Sequence, residues 1–561
     1  MAAKGIKFIV NNKNNNKRGT TIMSEEQKRL LEQSLWAIAD LLRGRMNADE
    51  YKNYILGFIF LKYLSERQEI YADELLKRDN IKYTDLIDES NENKEIISLV
   101  KEQSIENKGF FLKPNQLFSY IVKKGNKEFG SDNFIVEDLR NVLNSIEQNT
   151  IGQESEEDFI GLFEDVDLSS AKLGKTEKEK NDIVIEILSR LNRIDFNLTD
   201  AKSDVLGDAY EYLIGQFAAG AGKKGGEFYT PSQVSRILSQ IVIAGKDKIK
   251  SVYDPTCGSG SLLIRVKDYA EVSEIYGQEL NRTTYNLARM NMLLHGINYT
   301  KFHIRQGDAL TDDHFPDLKA EAVVANPPFS AKWKGDLNPL FKTDERFNKY
   351  GALAPKDKAD YAFATHMIHH LADNGVMAIV LPHGVLFRGG AEEKIRRYII
   401  EKLNYLDAVI GLAPNLFYGT PIPVCIMVFS KCRKEDDKIL FIDASKEFEK
   451  SKNQNRLTDD NVKKIVETYK DKKEIDKFSR LVGLGEIKEN DYNLNISRYI
   501  EIFEEDEPID LEAVSNEIRK LESEETEIDK EIAGYCRELG INPPFHSEIT
   551  KTKRFNNEKR T

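Results

Sequence analysis

Asn326-Pro327-Pro328-Phe329 is the stretch of this chain whose residue types could do chemistry on a planar base. The apolar run before it, Ala322-Val323-Val324-Ala325, reads as a buried strand. Pro327 and Pro328 have fixed φ and no N–H, so the strand should end in a stiff, donor-poor loop. Its carbonyls and the Asn326 amide would be held outward. Phe329 adds a flat apolar face. Acceptors beside an aromatic wall suit a ring that carries an amino group, such as an adenine or cytosine swung out of a duplex. Alone, the tetrapeptide reads equally well as a proline-rich turn with one core phenylalanine. The elements that position it have to decide.

Strand-like apolar runs fall at 250–253, 274–277, 302–305, 322–325, 376–381, 405–410 and 424–429. Helical patterns separate several of them, at 282–294, 361–371 and 391–402. Such alternation predicts an α/β fold with a mostly parallel sheet covered on both faces. The last two runs are joined by Gly419-Thr420-Pro421-Ile422-Pro423, compatible with an antiparallel edge pair. Cofactors sit at the carboxyl ends of parallel strands, where glycines admit close approach. Asp254-Pro255-Thr256-Cys257-Gly258-Ser259-Gly260-Ser261 follows the first strand and opens a helix. The spacing is neither the dinucleotide fingerprint nor the P-loop. Asp254 suits a cofactor with a cationic amino-acid part better than one with phosphates, and the small residues suit close approach by methionine. Glu279 ends the second strand, placed to bind ribose hydroxyls. Asp308 ends the third and could meet an adenine amino group; Asn326 ends the fourth. Any one of these could be a turn or cap residue, but four in register are hard to explain that way.

The rest of the chain frames this sheet. Its 561 residues are too many for one core, and 40% hydrophobic with 31% charged residues describes a folded, soluble protein. A net charge of −12 repels duplex DNA, so nucleic-acid work would need local basic patches or a partner. Cys257, Cys425, Cys432 and Cys536 lack metal-like spacing and point to a reduced cytoplasm. The longest apolar stretch, 54–64, contains Lys62 and is too short for a membrane span. Residues 1–22 read as a disordered leader. Ser24-Glu25-Glu26-Gln27 is a capping box that opens a helical region, 23–200. Within it, Leu31, Leu35, Ile38 and Leu42 share one face, 54–61 continues as a helix buried nearly all round, and 136–146 and 183–191 suggest later helices. Residues 79–108 read as polar and loop-rich. The segment 217–226 (FAAGAGKKGG) reads as a hinge, followed by Glu227-Phe228-Tyr229-Thr230-Pro231-Ser232 and an amphipathic helix through Val234, Ile237, Leu238 and Ile241. The sheet region is taken as 201–480. Beyond it, 481–561 carries Val514, Ile518, Leu521, Ile528, Ile532, Tyr535 and Leu539 on a four-three repeat, broken by Glu525. That is a coiled-coil or bundle element able to pack on a partner or on its own chain. His366, His369 and His370 lie on an otherwise apolar helix without H-E-x-x-H, so they read as helix-surface or core-edge residues and no metal is expected. Lys332, Trp333, Lys334, Lys342, Arg346, Lys349, Lys356 and Lys358 form a basic loop that could clamp a displaced strand.

The combination Gly226-Glu227-Phe228-Tyr229-Thr230-Pro231, then DPTCGSG at 254–260, then Asn326-Pro327-Pro328-Phe329 resembles the modification (M) subunit of type I restriction-modification systems. The resemblance spans roughly 23–499; the leader lies outside it, and 70–160 does not align well. It implies a Rossmann-like, seven-stranded S-adenosylmethionine-dependent methyltransferase domain between an N-terminal all-α domain and a C-terminal helical tail. It implies S-adenosylmethionine held by Glu227, Phe228, Tyr229, Thr230, Pro231 and Ser232, by Asp254, Gly258, Ser259, Gly260 and Ser261, and by Glu279 and Asp308. Asn326, Pro327, Pro328 and Phe329 would be the catalytic residues of an adenine-N6 DNA methyltransferase. The implied partners are double-stranded DNA, a specificity subunit bound by two M subunits, and a restriction/translocase subunit. Alternatives remain at this point: methylation of cytosine N4 or of a protein glutamine, or a non-catalytic scaffold binding cofactor and partner.

Overall fold

The computed structural model describes residues 33–34, 37–38, 40–87, 90–130, 132–196, 198, 205–220, 229–417, 420–451, 454–500 and 511–544. Residues 1–22, with Leu31, Leu35, Glu227 and Phe228, lie outside these. The chain divides into two compact units, Met1–Glu501 and Ile502–Thr561.

The strands are β1 (Lys248–Asp254), β2 (Glu271–Glu279), β3 (Phe302–Gln306), β4 (Ala320–Ala325), β5 (Leu371–Pro382), β6 (Leu406–Leu412), β7 (Val424–Ser430), β8 (Ile439–Ala444), the short pair β9 (Glu449–Lys450) and β10 (Asn455–Arg456), and β11 (Ser479–Val482). All but the short pair form one nine-stranded sheet, ordered β11-β8-β6-β7-β5-β4-β1-β2-β3. The seven strands from β3 to β6 are the seven runs read from the sequence. They are parallel except for β7, which runs antiparallel to both β5 and β6. The expected edge pair is corrected: β8 pairs parallel with β6 and β11 antiparallel with β8, so β6 and β7 are interior. Interior position explains why every residue of both is buried.

The strand order reverses between β1 and β4, which pair directly through Val252–Ala322 and Tyr253–Val323. A reversal leaves a crevice outside the carboxyl ends, because the connections depart to either side. The loops after β1 and β4 therefore meet there.

Helices α1 (Ala48–Leu75), α2 (Asn91–Lys108), α3 (Phe118–Gly125), α4 (Val136–Thr150), α5 (Glu177–Asn192) and α6 (Val205–Gly220) precede the sheet. Helix α1 is buried almost all round from Tyr54 to Leu64, as its composition requires. One expectation fails. Residues 91–108 are a full helix, with the Ser90 side chain accepting from the Asn93 amide and left-handed Gly109 closing the other end. Among its residues only Val100 and Ser104 are buried, so its apolar period was too sparse to read. Of the expected hinge, 217–220 end a helix in which Phe217 and Ala218 are buried, their packing outweighing the glycine cost, and 221–226 lie outside the described residues.

Around the sheet lie α7 (Ser232–Val242), α8 (Ser261–Lys267), α9 (Arg282–Leu294), α10 (Asp360–His370), α11 (Ala391–Tyr398) and α12 (Asp459–Asp471). Helix α9 is clamped to the helical region: Arg282 pairs with Glu164 at 2.7 Å, Thr283 donates to Asp165 at 2.8 Å, and buried Arg289 donates to the carbonyls of Glu157 and Ile160. The second unit contains α13 (Leu511–Glu538). Its repeat residues are exposed, from 36% at Ile532 to 64% at Tyr535, and Leu539 just beyond is 73% exposed. No helix among the described residues is long and apolar enough to cross a membrane.

Candidate active site

Asn326 ends β4 where the sheet stops, and its carboxamide is fixed from one side only. Its Nδ2 donates to Thr230 Oγ1 at 3.1 Å, while its Oδ1 is buried with no hydrogen-bond partner. A buried acceptor without a donor costs free energy on the order of 1–3 kcal/mol. A ligand N–H or O–H would recover it. Pro327 is buried and Pro328 exposed; Phe329 is half-buried, its edge against Phe417 at 5.9 Å between centroids. Ser330 takes a left-handed φ of 50°, and its amide donates to Asp360 Oδ1 at 2.8 Å. Asp360, fully buried at the start of α10, also accepts from Arg388 at 3.2 Å. The loop is thus anchored behind Phe329 rather than through the residues that would meet a base.

The turn after β1 approaches this loop. Asp254 is buried, and its Oδ1 accepts from the Thr256 amide at 2.9 Å. Burial pushes its carboxyl up to about 8, outweighing the Thr256 hydrogen bonds. Gly258 and Gly260 sit at φ +56° and +77°. A Cβ on Gly260 would lie 2.8 Å from Met292 Cε, so the turn is pressed against α9. Ser259 and Ser261 share a hydrogen bond at 3.0 Å, and Asn291 of α9 donates to the Ser259 carbonyl. Glu279 is braced by two amides: Gly258 N–H donates to its Oε2 at 3.0 Å and Asn281 N–H to its Oε1 at 2.8 Å. Burial raises its pKa, with the amide bonds opposing. Asp308 follows β3, its Oδ1 accepting from the Leu310 amide.

Two cavities join these groups. One, lined by Tyr229, Thr230, Asp254, Gly258, Ser259 and Asn326 among others, lies at the glycine turn. The second, a cleft of about 820 Å³, has Thr256 in common with it and contains Glu279, Asp308 and Pro328. Leu280, 65% exposed, and Phe363 give this cleft apolar walls. Of the expected site residues within the described segments, Tyr229, Thr230, Asp254, Gly258, Ser259, Ser261, Glu279, Asp308, Asn326 and Pro328 line these two cavities, whereas Pro231, Ser232, Gly260, Pro327 and Phe329 line neither. Lys52 and Asn53 of α1 also line the cleft. Nothing in their local sequence signals it, since they are polar positions within a helix whose partner surface is far away in sequence.

Some expectations about nearby residues are corrected. His366 and His370 are fully buried, not surface residues. With Asp313 they form the one cluster of potential metal-binding groups found among the described residues. Their ring nitrogens are taken by protein groups. His366 faces Tyr253 Oη at 2.9 Å and Arg346 at 3.2 Å, and His370 faces the Leu318 carbonyl and Asp313. Burial holds His366 well below the usual histidine range, so it stays neutral beside the Arg346 guanidinium. In the basic loop, Arg346 is spent on Asp344 and the carbonyls of Ala309 and Leu310, and Trp333 is buried against Phe341 and Phe347. Lys332, Lys334, Lys342, Lys349 and Lys356 are exposed.

A sheet of this order, with a glycine turn after β1 and an acidic residue ending β2, is the methyltransferase fold. Residues 201–508 match the family described as N-6 DNA Methylase, and 31–191 match the HsdM N-terminal domain. The second match includes all of the helical stretch 70–160, where the motifs alone gave no clear resemblance. The type I restriction enzyme MpnII methylase subunit of Mycoplasma pneumoniae is 38% identical over 92% of this chain and 97% of its own. The MjaVIII methylase subunit of Methanocaldococcus jannaschii is 34% identical over 89% of this chain and 83% of its own. A type I restriction-modification methyltransferase subunit from Streptococcus thermophilus superposes with a TM-score of 0.76 at 41% identity, covering 84% of this chain and all of that one. The chain belongs to the N-6 DNA methylase family, as a methylase subunit of the type I restriction-modification kind.

Proposed function

We propose that this chain methylates N6 of an adenine extruded from duplex DNA, with the residues of the β1/β4 crevice in the following roles. The orphaned Oδ1 of Asn326, whose Nδ2 is held by Thr230 in the glycine-turn cavity, carries the proposal. Adenine N6 is a weak nucleophile because its lone pair is delocalised into the ring. Asn326 Oδ1 and the Pro327 carbonyl accept its two N–H groups, which draws the lone pair out of conjugation and aims it. Phe329, steadied by Phe417, stacks on the base. The remaining acceleration is in-line positioning.

The methionine half of S-adenosylmethionine is assigned to the glycine turn, with Asp254 toward its ammonium, Gly258, Ser259 and Ser261 lining the small cavity there and Gly260 between them in the turn. The 820 Å³ cleft fits the adenosine half, with Glu279 toward the ribose and Asp308 toward the base. Bound there, the donor supplies a methyl group on a sulfonium sulfur, a good leaving group that requires no metal. Glu227, Phe228, Tyr229, Thr230, Pro231 and Ser232 help to hold it in this reading.

The chain works in the cytoplasm of a prokaryotic cell. Two copies join one specificity subunit that reads the DNA sequence, and a restriction/translocase subunit completes the assembly. The exposed apolar stripe of α13 is the proposed docking surface for the specificity subunit. The test is methylation of plasmid DNA with tritiated donor, with and without the co-expressed specificity partner, followed by nucleoside analysis and sequencing of the modified sites. N6-methyladenine formed only by the assembled complex is expected. Label in cytosine or protein would refute the substrate.

A further inference from the structure

The helical region supplies a polar residue to the wall of the 820 Å³ cleft. Asn53 lies near the start of α1, and its Oδ1 is buried with no hydrogen-bond partner among the described residues. It lines the same cleft as Glu279, Leu280 and Asp308. The helix around it is firmly placed. Asn47 and Glu50 form a capping box, and Glu50 also pairs with Lys172. Tyr51 packs its edge on Phe217 at 5.6 Å, and Tyr54 Oη donates to the Asp167 carbonyl at 2.8 Å. The opposite wall is equally fixed, because residues 157–165 clamp α9 through Arg282, Thr283 and Arg289. The backbone that carries Asn53 is therefore fixed beside the cleft.

We infer that Asn53 binds the adenosine half of the methyl donor, accepting a hydrogen bond from one of its N–H or O–H groups. This rests on the assignment of the cleft to the donor. It gives the helical region a direct part in cofactor capture. The geometry favours the donor over the extruded base, since Asn53 shares its cavity with the groups ending β2 and β3 and not with Asn326.

The inference predicts effects of opposite sign. An unsatisfied buried acceptor burdens the free protein, whereas the same atom, once paired, contributes to binding. Asn53→Ala should leave the melting temperature of the ligand-free chain unchanged or raised. It should weaken S-adenosylmethionine and S-adenosylhomocysteine by about threefold to tenfold in calorimetric titration, the loss of one neutral hydrogen bond. Methylthioadenosine, which carries only the adenosine half, should lose affinity by the same factor. Asn53→Ser, which restores a shorter polar group, should recover part of it. A variant that melts lower and binds normally, or that binds all three ligands as the wild type does, overturns the inference. A wild-type chain that binds none of them would overturn the cleft assignment itself, which separates the two failures.

Discussion

Asp254 gives the donor site a pH dependence that can be worked out from its surroundings. It is buried beneath the glycine turn, and burial, with Glu279 nearby, raises its carboxyl to about 8 despite the Thr256 hydrogen bonds. At pH 7 the empty site therefore holds a proton. A ligand ammonium favours the carboxylate, so binding must expel that proton. At pH 6, two units below the raised value, the expulsion costs about 2.7 kcal/mol. Affinity should thus rise about tenfold from pH 6 to 7 and about threefold from 7 to 8. Above that the gain ends, because the site is already ionised and the ligand's own amino group, near the ordinary α-amino value of about 8, begins to lose its charge. Calorimetric titration at pH 7 in buffers of differing ionisation enthalpy should report net release of about 0.8 proton per donor bound, about 0.9 from Asp254 less about 0.1 taken up by the ligand amino group. Asp254→Asn keeps an acceptor for Thr256 but cannot titrate, so both the proton release and the rise between pH 6 and 8 should vanish. Affinity that is flat with pH in the wild type, or a slope that survives in Asp254→Asn, would refute the pairing.

Other perturbations separate the remaining roles. Asn326→Ala should lower methyl transfer by a hundredfold or more, about the cost of removing one oriented catalytic hydrogen-bonding group, while donor affinity by calorimetry stays within a few-fold; an equal loss of both would place Asn326 in donor binding instead. Gly260→Ala forces a side chain into a left-handed φ of 77° against Met292. It should cost about 1–2 kcal/mol in denaturant unfolding and weaken the donor as the turn shifts. On α13, Ile518→Asp with Leu521→Asp should abolish co-purification with the specificity subunit without changing donor binding, and retention of the complex would show that this face does not dock it.

How legible the molecule was depended on how local each signal is. The seven strands from β3 to β6 could be read because central parallel strands are continuous apolar runs. Strand β8 is just as apolar, but it lies between the charged segments 431–438 and 445–451, and that composition masked it. Helix α2 fails the opposite way: its end caps are plain, yet its faces are nearly all polar. The strand-end groups at 254, 279, 308 and 326 could be found because a parallel sheet aligns its carboxyl ends, so periodicity alone gave their common edge. Asn53, His366 and His370 could not be. Their environments are made by Glu279, Tyr253 and Asp313, which are brought to them by tertiary packing rather than by spacing along the chain.

The same geometry explains why one chain would not suffice for the biology. Every adenine presents the same amino group, so acceptors at Asn326 and Pro327 with a ring at Phe329 can tell an adenine from a thymine but not one adenine from another. Discrimination between sites must be made on the neighbouring base pairs, in the grooves. A chain with a net charge of −12 also lacks the overall attraction that would let it search DNA alone. Its exposed lysines are concentrated, in part, between 332 and 356, directly after the base-holding loop, where they can steady phosphates once a duplex has been delivered. In the proposed roles, capture of the base belongs to the sheet edge, and selection of the base falls to a partner.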